Sequence, residues 1–236
     1  MEFSSVEKRD AIEQEMAWED RDVPNTVYQA ICRTADKHGA RSAVSFQLQS
    51  GVKDPAETLT WNDIRAKTAQ SANLFRSLGI GENDVVAFLL PNANETVAVL
   101  LGGMTAGIVN PINPLLDVEQ IAAILRETGA KVLVTLKAFP KTDVPQKAAE
   151  AVALAPNVKT VLEVDLLRYL TPPKSWIVPL IRPKNPIAHK AQVLNFTDEL
   201  KRQNTELDFE EPDKDRVGAY FHTGGTTGMP KVAQHK

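Results

Sequence analysis

Residues 84–164 alternate short apolar runs with segments of helical character, and this alternation limits the possible folds more than any other feature. Apolar runs of strand length occur at 84–90, 131–135 and 158–164. Between them lie segments with helical periodicity, at 95–106, 118–128 and 144–155. Strands separated by helices of this length form a parallel sheet through right-handed crossovers. Because the runs are apolar throughout, helices should cover both faces. The sequence therefore predicts an α/β fold with a mainly parallel β-sheet and helices on both faces.

The residues that precede this alternation predict two helices and one strand. A helix is expected over 26–38, with Asn25 as its N-cap and Gly39 at its end, followed by a strand over 43–48. A second helix is expected to run to about residue 78 and to start with a capping box formed by Thr60 and Asp63. Residues 1–24 are charged and weakly patterned, so we expect a loosely ordered lead-in.

Two further helix starts are predicted from side chains that can accept a backbone N–H. Asn92 or Asn94 could cap the helix that ends near residue 106, and Asp117 could cap the next helix. We expect a strand over 217–221 near the end of the chain.

Composition excludes several classes of protein. The formal net charge is -3 and no long basic run occurs, which argues against nucleic-acid binding. The N-terminus lacks the apolar segment of a secretory signal, and no run approaches the roughly 18 apolar residues that a membrane span needs. We therefore expect a cytoplasmic protein. Cys32 is the single cysteine and is expected to be a packing residue.

Residues 166–190 are rich in proline, basic residues and large apolar side chains. One interpretation is a segment that contacts a membrane surface, so the protein would be peripheral to the membrane. The other is a surface excursion with a few residues packed on the core. Five prolines prevent a continuous amphipathic helix, which favours the second interpretation. The three tryptophans, Trp18, Trp61 and Trp176, are expected to be structural.

The segment 220–231 carries the clearest chemistry. Three glycines and three threonines fall within six positions after an apolar strand, so the backbone can bend and present several N–H groups to an anion. Lys231 adds a positive charge. These groups suit a polyphosphate, whereas a polar hairpin turn would explain only one or two of the glycines.

This segment does not fit the Walker phosphate loop, because counting four residues on from Gly224 or Gly225 reaches Met229 or Pro230 instead of Gly-Lys. Pro230 and the β-prone Val232 indicate that a strand, not a helix, follows the loop.

The sequence Thr-Gly-Gly-Thr-Thr-Gly-Met-Pro-Lys at 223–231 closely resembles the signature loop of the AMP-forming adenylating enzymes. That family includes acyl- and aryl-CoA synthetases, luciferases and peptide-synthetase adenylation domains, and its usual form is Thr-Ser-Gly-Thr-Thr-Gly-x-Pro-Lys-Gly. Residues 84–135 also look like the upstream part of these enzymes. The resemblance covers roughly residues 25–236 and is weakest across 140–212. Gly224 and Val232 depart from the usual Ser and Gly, which affects the fine phosphate geometry more than the assignment.

The resemblance implies an acyl-CoA synthetase, that is, a ligase that activates a carboxylic acid with ATP to an acyl-adenylate and pyrophosphate, then forms a CoA thioester. By this likeness Lys231 would be catalytic and His222 could face the substrate. The residues that would contact the ATP phosphates are Thr223, Gly224, Gly225, Thr226, Thr227, Gly228 and Lys231. A ligand for Mg²⁺ would lie downstream of this chain.

The resemblance also implies that residues 25–236 are the first portion of a longer adenylation domain. A chain that stops soon after the loop is then expected to be inactive alone, to expose apolar surface around 25–80 and to be only marginally stable. Two alternatives stay open: a non-catalytic module that binds a nucleotide or a partner, and a peptide-synthetase adenylation unit.

Overall fold

The computed structural model describes residues 5–17, 20–52, 54–183, 188–212, 214–223 and 231–236. The helices are α1 (Val6–Glu15), α2 (Val27–His38), α3 (Trp61–Ser77), α4 (Asn94–Ala106), α5 (Val118–Glu127), α6 (Val144–Leu154), α7 (Lys174–Ile181) and α8 (Phe196–Lys201). The strands are β1 (Ser42–Phe46), β2 (Glu57–Thr60), β3 (Val85–Leu89), β4 (Ile108–Pro111), β5 (Val132–Leu136), β6 (Thr160–Val164), β7 (Gln192–Asn195), β8 (Ala219–Thr223) and β9 (Lys231–His235).

Seven strands form the main sheet, in the order β7-β6-β5-β3-β4-β8-β9. The neighbours from β7 to β8 are parallel, and only the β8–β9 pair is antiparallel. From β3 the chain adds β4 on one side and then crosses back to add β5, β6 and β7 on the other. The predicted parallel α/β fold is confirmed.

The direction of each crossover decides which face of the sheet its helix covers. Right-handed crossovers place α4 on one face and both α5 and α6 on the other. In agreement, α4 and α8 pack against α3, whereas α5 packs against α6. All five residues of β3 and of β5 are buried, as expected for strands between two helical layers. Among the largest fully buried side chains are Phe75, Phe196, Ile121, Leu125 and Leu133.

Two of the four predicted helix N-caps are present in the structure. Thr60 and Asp63 form the expected capping box at α3, and the side chain of Asp117 caps α5. The prediction of Asn25 as the cap of α2 is wrong, because the Thr26 hydroxyl accepts the Gln29 N–H three residues later.

The start of α4 also differs from the prediction, because neither Asn92 nor Asn94 caps it. Ala93 occupies the N-cap position and provides no side-chain hydrogen bond. The Asn94 amide instead donates to Glu57 Oε2 at 2.5 Å, so it joins the helix to β2. The Asn94 side chain thus makes a contact 37 residues away in sequence instead of a local N-cap hydrogen bond.

Strands β1 and β2 form a separate two-stranded antiparallel sheet. Beside it runs an open apolar groove of about 310 Å³, lined by Val27, Ala30, Ile31, Thr34, Ala43, Val44, Trp61, Ile64, Val97 and Leu101. Exposed apolar surface was expected over residues 25–80, but Ile31 and Ile64, which line this groove, are only 5% and 3% exposed. Among the described residues of that region, Val52 is the one large apolar side chain that is strongly exposed.

Several elements were not predicted, among them β2, β4, β7 and α8. Helix α1 lies in the predicted lead-in and has no buried residue. Within the proline-rich segment 166–190, a 3-10 turn at Leu166–Tyr169 is followed by α7, which contains Pro179. No helix in the described part of the chain is long and apolar enough to cross a membrane.

Candidate functional site

The glycine loop connects two adjacent strands. β8 ends at Thr223 and β9 begins at Lys231, and these two residues are partners in the antiparallel register. The prediction that a strand follows the loop is thus confirmed. The strand before it spans Ala219–Thr223, two residues later than the predicted 217–221, so it runs directly into the loop.

The loop begins at the edge of the sheet where the parallel strands end. β8 is parallel to β4, with Ala219 opposite Val109. The connections that follow β3, β4, β5 and β6 leave from this same carboxyl edge, because these strands are all parallel. In open α/β sheets ligands bind in crevices at this edge, next to strands whose connections leave to opposite faces. The crossovers after β3 and β4 are such a pair.

Arg216 fixes the lead-in to β8 against the end of α4. Its guanidinium donates hydrogen bonds to the carbonyl oxygens of Met104, Thr105 and Gly107, at 2.5, 3.1 and 2.8 Å. Burial lowers the pKa of Arg216. The last carbonyls of a helix have no intrahelical partner, and here an arginine 109 to 112 residues away supplies the donors. The pairing with β4 and the hydrogen bonds of Arg216 together fix the position of β8.

The structure brings together only part of the predicted phosphate site. Thr223 and Lys231 are adjacent through their backbones, and the Lys231 side chain is exposed. The remaining predicted phosphate ligands lie outside the described residues; they are Gly224, Gly225, Thr226, Thr227 and Gly228. Their contacts with phosphate stay a prediction.

His222 is half-buried next to the start of the loop. Both ring nitrogens are shielded from solvent, and no described residue provides either with a hydrogen-bond partner. Burial lowers the pKa of this imidazole, so the neutral form is favoured. A buried polar group without a partner is uncommon in a folded protein. The residue is therefore placed to offer a neutral donor and acceptor at the site.

A second group of charged residues lies at the same carboxyl edge. Arg168, in the turn after β6, donates to Glu95 at 2.5 Å and to both carboxylate oxygens of Glu57 at 2.9 and 2.7 Å. The Tyr169 hydroxyl donates to the other oxygen of Glu95 at 2.7 Å. Burial, with this bond to Glu95, raises the pKa of Tyr169 and keeps the hydroxyl protonated. We call Glu57, Glu95, Arg168 and Tyr169 the Arg168 cluster.

The Arg168 cluster lies beside a cleft of about 270 Å³ between α3, α4 and α8. No residue of β8 or β9 lines this cleft. The guanidinium already has carboxylate partners, which suits a structural link between β2, α4 and the turn after β6. The cluster could not be predicted from the sequence, because Arg168 and Glu95 are 73 residues apart and neither lies in a motif.

Comparisons with known proteins agree with the fold and show the family. The profile of the AMP-binding enzyme family matches residues 31–236. The marinolic acid–CoA ligase of Pseudoalteromonas sp. (strain SANK 73390) is 34% identical over 212 residues, which covers 89% of this chain and 29% of that protein. The long-chain-fatty-acid–CoA ligase of Bacillus subtilis (strain 168) is 29% identical over 217 residues, which covers 89% of this chain and 36% of that protein.

A solved structure shares the architecture. The anthranilate CoA ligase AuaEII in complex with anthranoyl-AMP superposes with a TM-score of 0.70 at 18% identity, covering 93% of this chain and 36% of that one. The chain thus spans about a third of the length of the relatives it matches. Since the family profile covers most of the chain, the chain belongs to the family of AMP-binding enzymes.

Proposed function

We propose that the intact protein is an AMP-forming acid–CoA ligase and that residues 223–231 of this chain hold the phosphates of its ATP. The observation that carries the proposal is the pairing of Thr223 with Lys231, which anchors both ends of the glycine loop at the carboxyl edge of the sheet. The acid–CoA ligases among the relatives support the reaction class. The acid would be a fatty or an aryl acid, and the ligase would act in the cytoplasm, in fatty-acid metabolism.

The chemical difficulty of the first step is the approach of a carboxylate to a phosphate that also carries negative charge. Backbone N–H groups of the loop and the ammonium of Lys231 would neutralise the charge that develops on the phosphate oxygens. Preorganised donors of this kind contribute roughly 3–4 kcal/mol of transition-state stabilisation each. The glycines would let the loop close over ATP and open again for pyrophosphate to leave.

The other reactants need residues that we expect downstream of this chain. A carboxylate ligand for Mg²⁺, the ribose contacts and a second catalytic lysine belong there by resemblance, and CoA enters after adenylation. Within this chain, His222 is proposed to meet the substrate with its neutral ring, which is supported by two ring nitrogens that have no hydrogen-bond partner among the described residues. The 236-residue chain alone is therefore expected to lack turnover.

Carboxylate-dependent exchange between ATP and pyrophosphate tests this proposal. The assay would compare this chain with the longest protein that its gene encodes, using acids from acetate to long-chain and aryl acids. We expect exchange only by the long form, and loss of at least about a hundredfold in Lys231→Ala. Lys37→Ala is the matched control, because it removes the same charge from an exposed position in α2.

Absence of exchange with every acid would contradict the ligase proposal and favour the non-catalytic module. Turnover by the 236-residue chain would contradict its predicted inactivity.

A further inference from the structure

The cleft beside the Arg168 cluster has walls of mixed character. Its volume of about 270 Å³ is at the small end of the range for ligand pockets. Ala98, Phe196 and Leu200 form an apolar part of its lining, and two lysines, Lys67 and Lys201, also line it. A concave surface with apolar walls and a few polar groups is the usual form of a site for a small molecule.

The two lysines keep their charge available for a ligand. In the part of the chain that the structure describes, neither of them forms an ion pair with a carboxylate. Asp63, one turn before Lys67, is engaged in the capping box of α3. Glu199, close to Lys201 in sequence, binds Arg202 at 2.6 Å. The acids nearest in sequence to the two lysines therefore have other partners.

The carboxylates at the cleft are also bound already. Arg168 donates to Glu57 and to Glu95, and the Tyr169 hydroxyl donates to Glu95 as well. Three cationic and two anionic residues line the cleft, so its net charge is positive. The uncompensated charge comes from the two lysines, which favours an anionic ligand.

Asn94 provides a buried acceptor at the same cleft. The residue is 1% exposed and lines the cleft, and its side-chain nitrogen donates to Glu57. A carboxylate only accepts hydrogen bonds, so the amide nitrogen must face Glu57 and the carbonyl oxygen must face elsewhere. No described residue donates to this oxygen, Oδ1. Buried polar atoms normally have a partner, and a hydroxyl group of a ligand in the cleft would provide one.

We propose that this cleft binds a small organic phosphate that carries a hydroxyl group. Two ammonium groups, those of Lys67 and Lys201, suit a phosphate monoester, which carries a charge of about −1.5 to −2 at pH 7. The hydroxyl would donate to Asn94 Oδ1, and the carbon chain would contact Phe196 and Leu200. No residue of β8 or β9 lines the cleft, so the site is separate from the glycine loop and does not rest on the proposed ligase reaction.

An NMR titration of the chain with labelled alanine and leucine methyl groups tests the proposal, with glycerol 3-phosphate as the probe. Ala98 and Leu200 line the cleft, so their methyl signals report binding there and not at the glycine loop. We expect saturable shifts of both signals. Propyl phosphate lacks the hydroxyl groups and should bind at least about threefold more weakly, because one hydrogen bond is lost.

The double variant Lys67→Met, Lys201→Met is expected to bind glycerol 3-phosphate at least about tenfold more weakly, because two charge-assisted contacts are lost. The matched control is the double variant Lys37→Met, Lys190→Met, which removes the same charge from two exposed positions outside the cleft. The control should bind like the wild type, and circular dichroism checks that all variants fold.

Three results would overturn the proposal: no shift of the Ala98 and Leu200 signals, equal affinities of the two double variants, or equal affinities for glycerol 3-phosphate and propyl phosphate. Glycerate, which carries a carboxylate in place of the phosphate, is the last probe. Tighter binding of glycerate than of glycerol 3-phosphate would also overturn the proposal and would assign the cleft to a carboxylic acid.

Discussion

Thr223 and Lys231 face each other as the last backbone pair of β8 and β9. Partners in an antiparallel pair have Cα atoms about 4.5–5.5 Å apart, so residues 224–230 must leave and return at nearly one point of the sheet edge. The two ends of the predicted phosphate loop are therefore fixed side by side at this edge of the sheet.

Gly102 allows α4 to approach α3 closely. A Cβ added at Gly102 would lie 2.3 Å from Ser71 Cβ and 3.0 Å from the Ala72 amide nitrogen. We expect Gly102→Ala to lower the free energy of unfolding by about 1–3 kcal/mol, although alanine gains about 1 kcal/mol in helix propensity. Urea unfolding measures the change.

Gly218→Ala is the control for this variant, because its added Cβ would meet only Met104 Cε at 3.6 Å, an ordinary contact. It should change the free energy of unfolding by less than about 1 kcal/mol. Equal losses at the two glycines would contradict the account of α3–α4 packing.

Arg168→Met removes the charge that balances Glu57 and Glu95. The Glu95 side chain is only 6% exposed, so its carboxylate would be left buried with the Tyr169 hydroxyl as its remaining partner in the cluster. Because Arg168 itself is 30% exposed, we expect a loss of about 2–3 kcal/mol, below the usual range for a fully buried pair.

The control for the Arg168 cluster is Arg202→Met. Arg202 also contacts a carboxylate, Glu199, at 2.6 Å, but its side chain is 68% exposed. Because the Arg202 guanidinium is well solvated, we expect this pair to contribute less than about 1 kcal/mol, so this variant should unfold close to the wild type. Similar denaturation midpoints for both variants would show that the Arg168 cluster is no more than a surface ion pair.

His222 should make stability depend on pH. Burial lowers its pKa, so the unfolded chain binds a proton more readily than the folded chain. The stability that this group contributes is therefore complete above its unfolded pKa of about 6.5 and is lost as pH falls through the lower folded value. The charge of Glu127 acts in the opposite direction but is the smaller influence.

We expect the melting temperature to fall less between about pH 7.5 and about pH 5.5 in His222→Gln than in the wild type. Calorimetric scans across that range measure the difference, and the other three histidines are common to both proteins. Parallel pH profiles would mean that the His222 ring is protonated equally well in the folded chain.

Local patterns predicted most of the fold. The apolar runs at β3, β5 and β6 are strong signals because both faces of these strands are covered, and the Thr60–Asp63 box marks a helix start within four residues. The order of the strands in the sheet could not be predicted from the sequence. After β7 the chain returns past four strands to place β8 beside β4. The contacts that hold β8 there include hydrogen bonds from Arg216 to carbonyl oxygens more than 100 residues away.

In the candidate site, too, some features could be predicted from local sequence and others could not. The glycine loop could be predicted from composition and resemblance, because all the residues that would bind phosphate are close together in sequence. The Arg168 cluster was not predicted, because it depends on which distant side chains packing brings together. The predicted N-cap at Asn94 is absent for a related reason, since the Asn94 side-chain amide donates instead to Glu57 in β2.

The most direct test of the central claim is a binding measurement on this chain. Isothermal titration with Mg-ATP and with pyrophosphate would compare the wild type, Lys231→Ala and the control Lys37→Ala. We expect saturable binding of both ligands and an affinity at least about tenfold weaker in Lys231→Ala alone, since a charge-assisted contact to phosphate contributes about 1.5–3 kcal/mol. Equal affinities for all three proteins would contradict the assignment of residues 223–231 as the phosphate site.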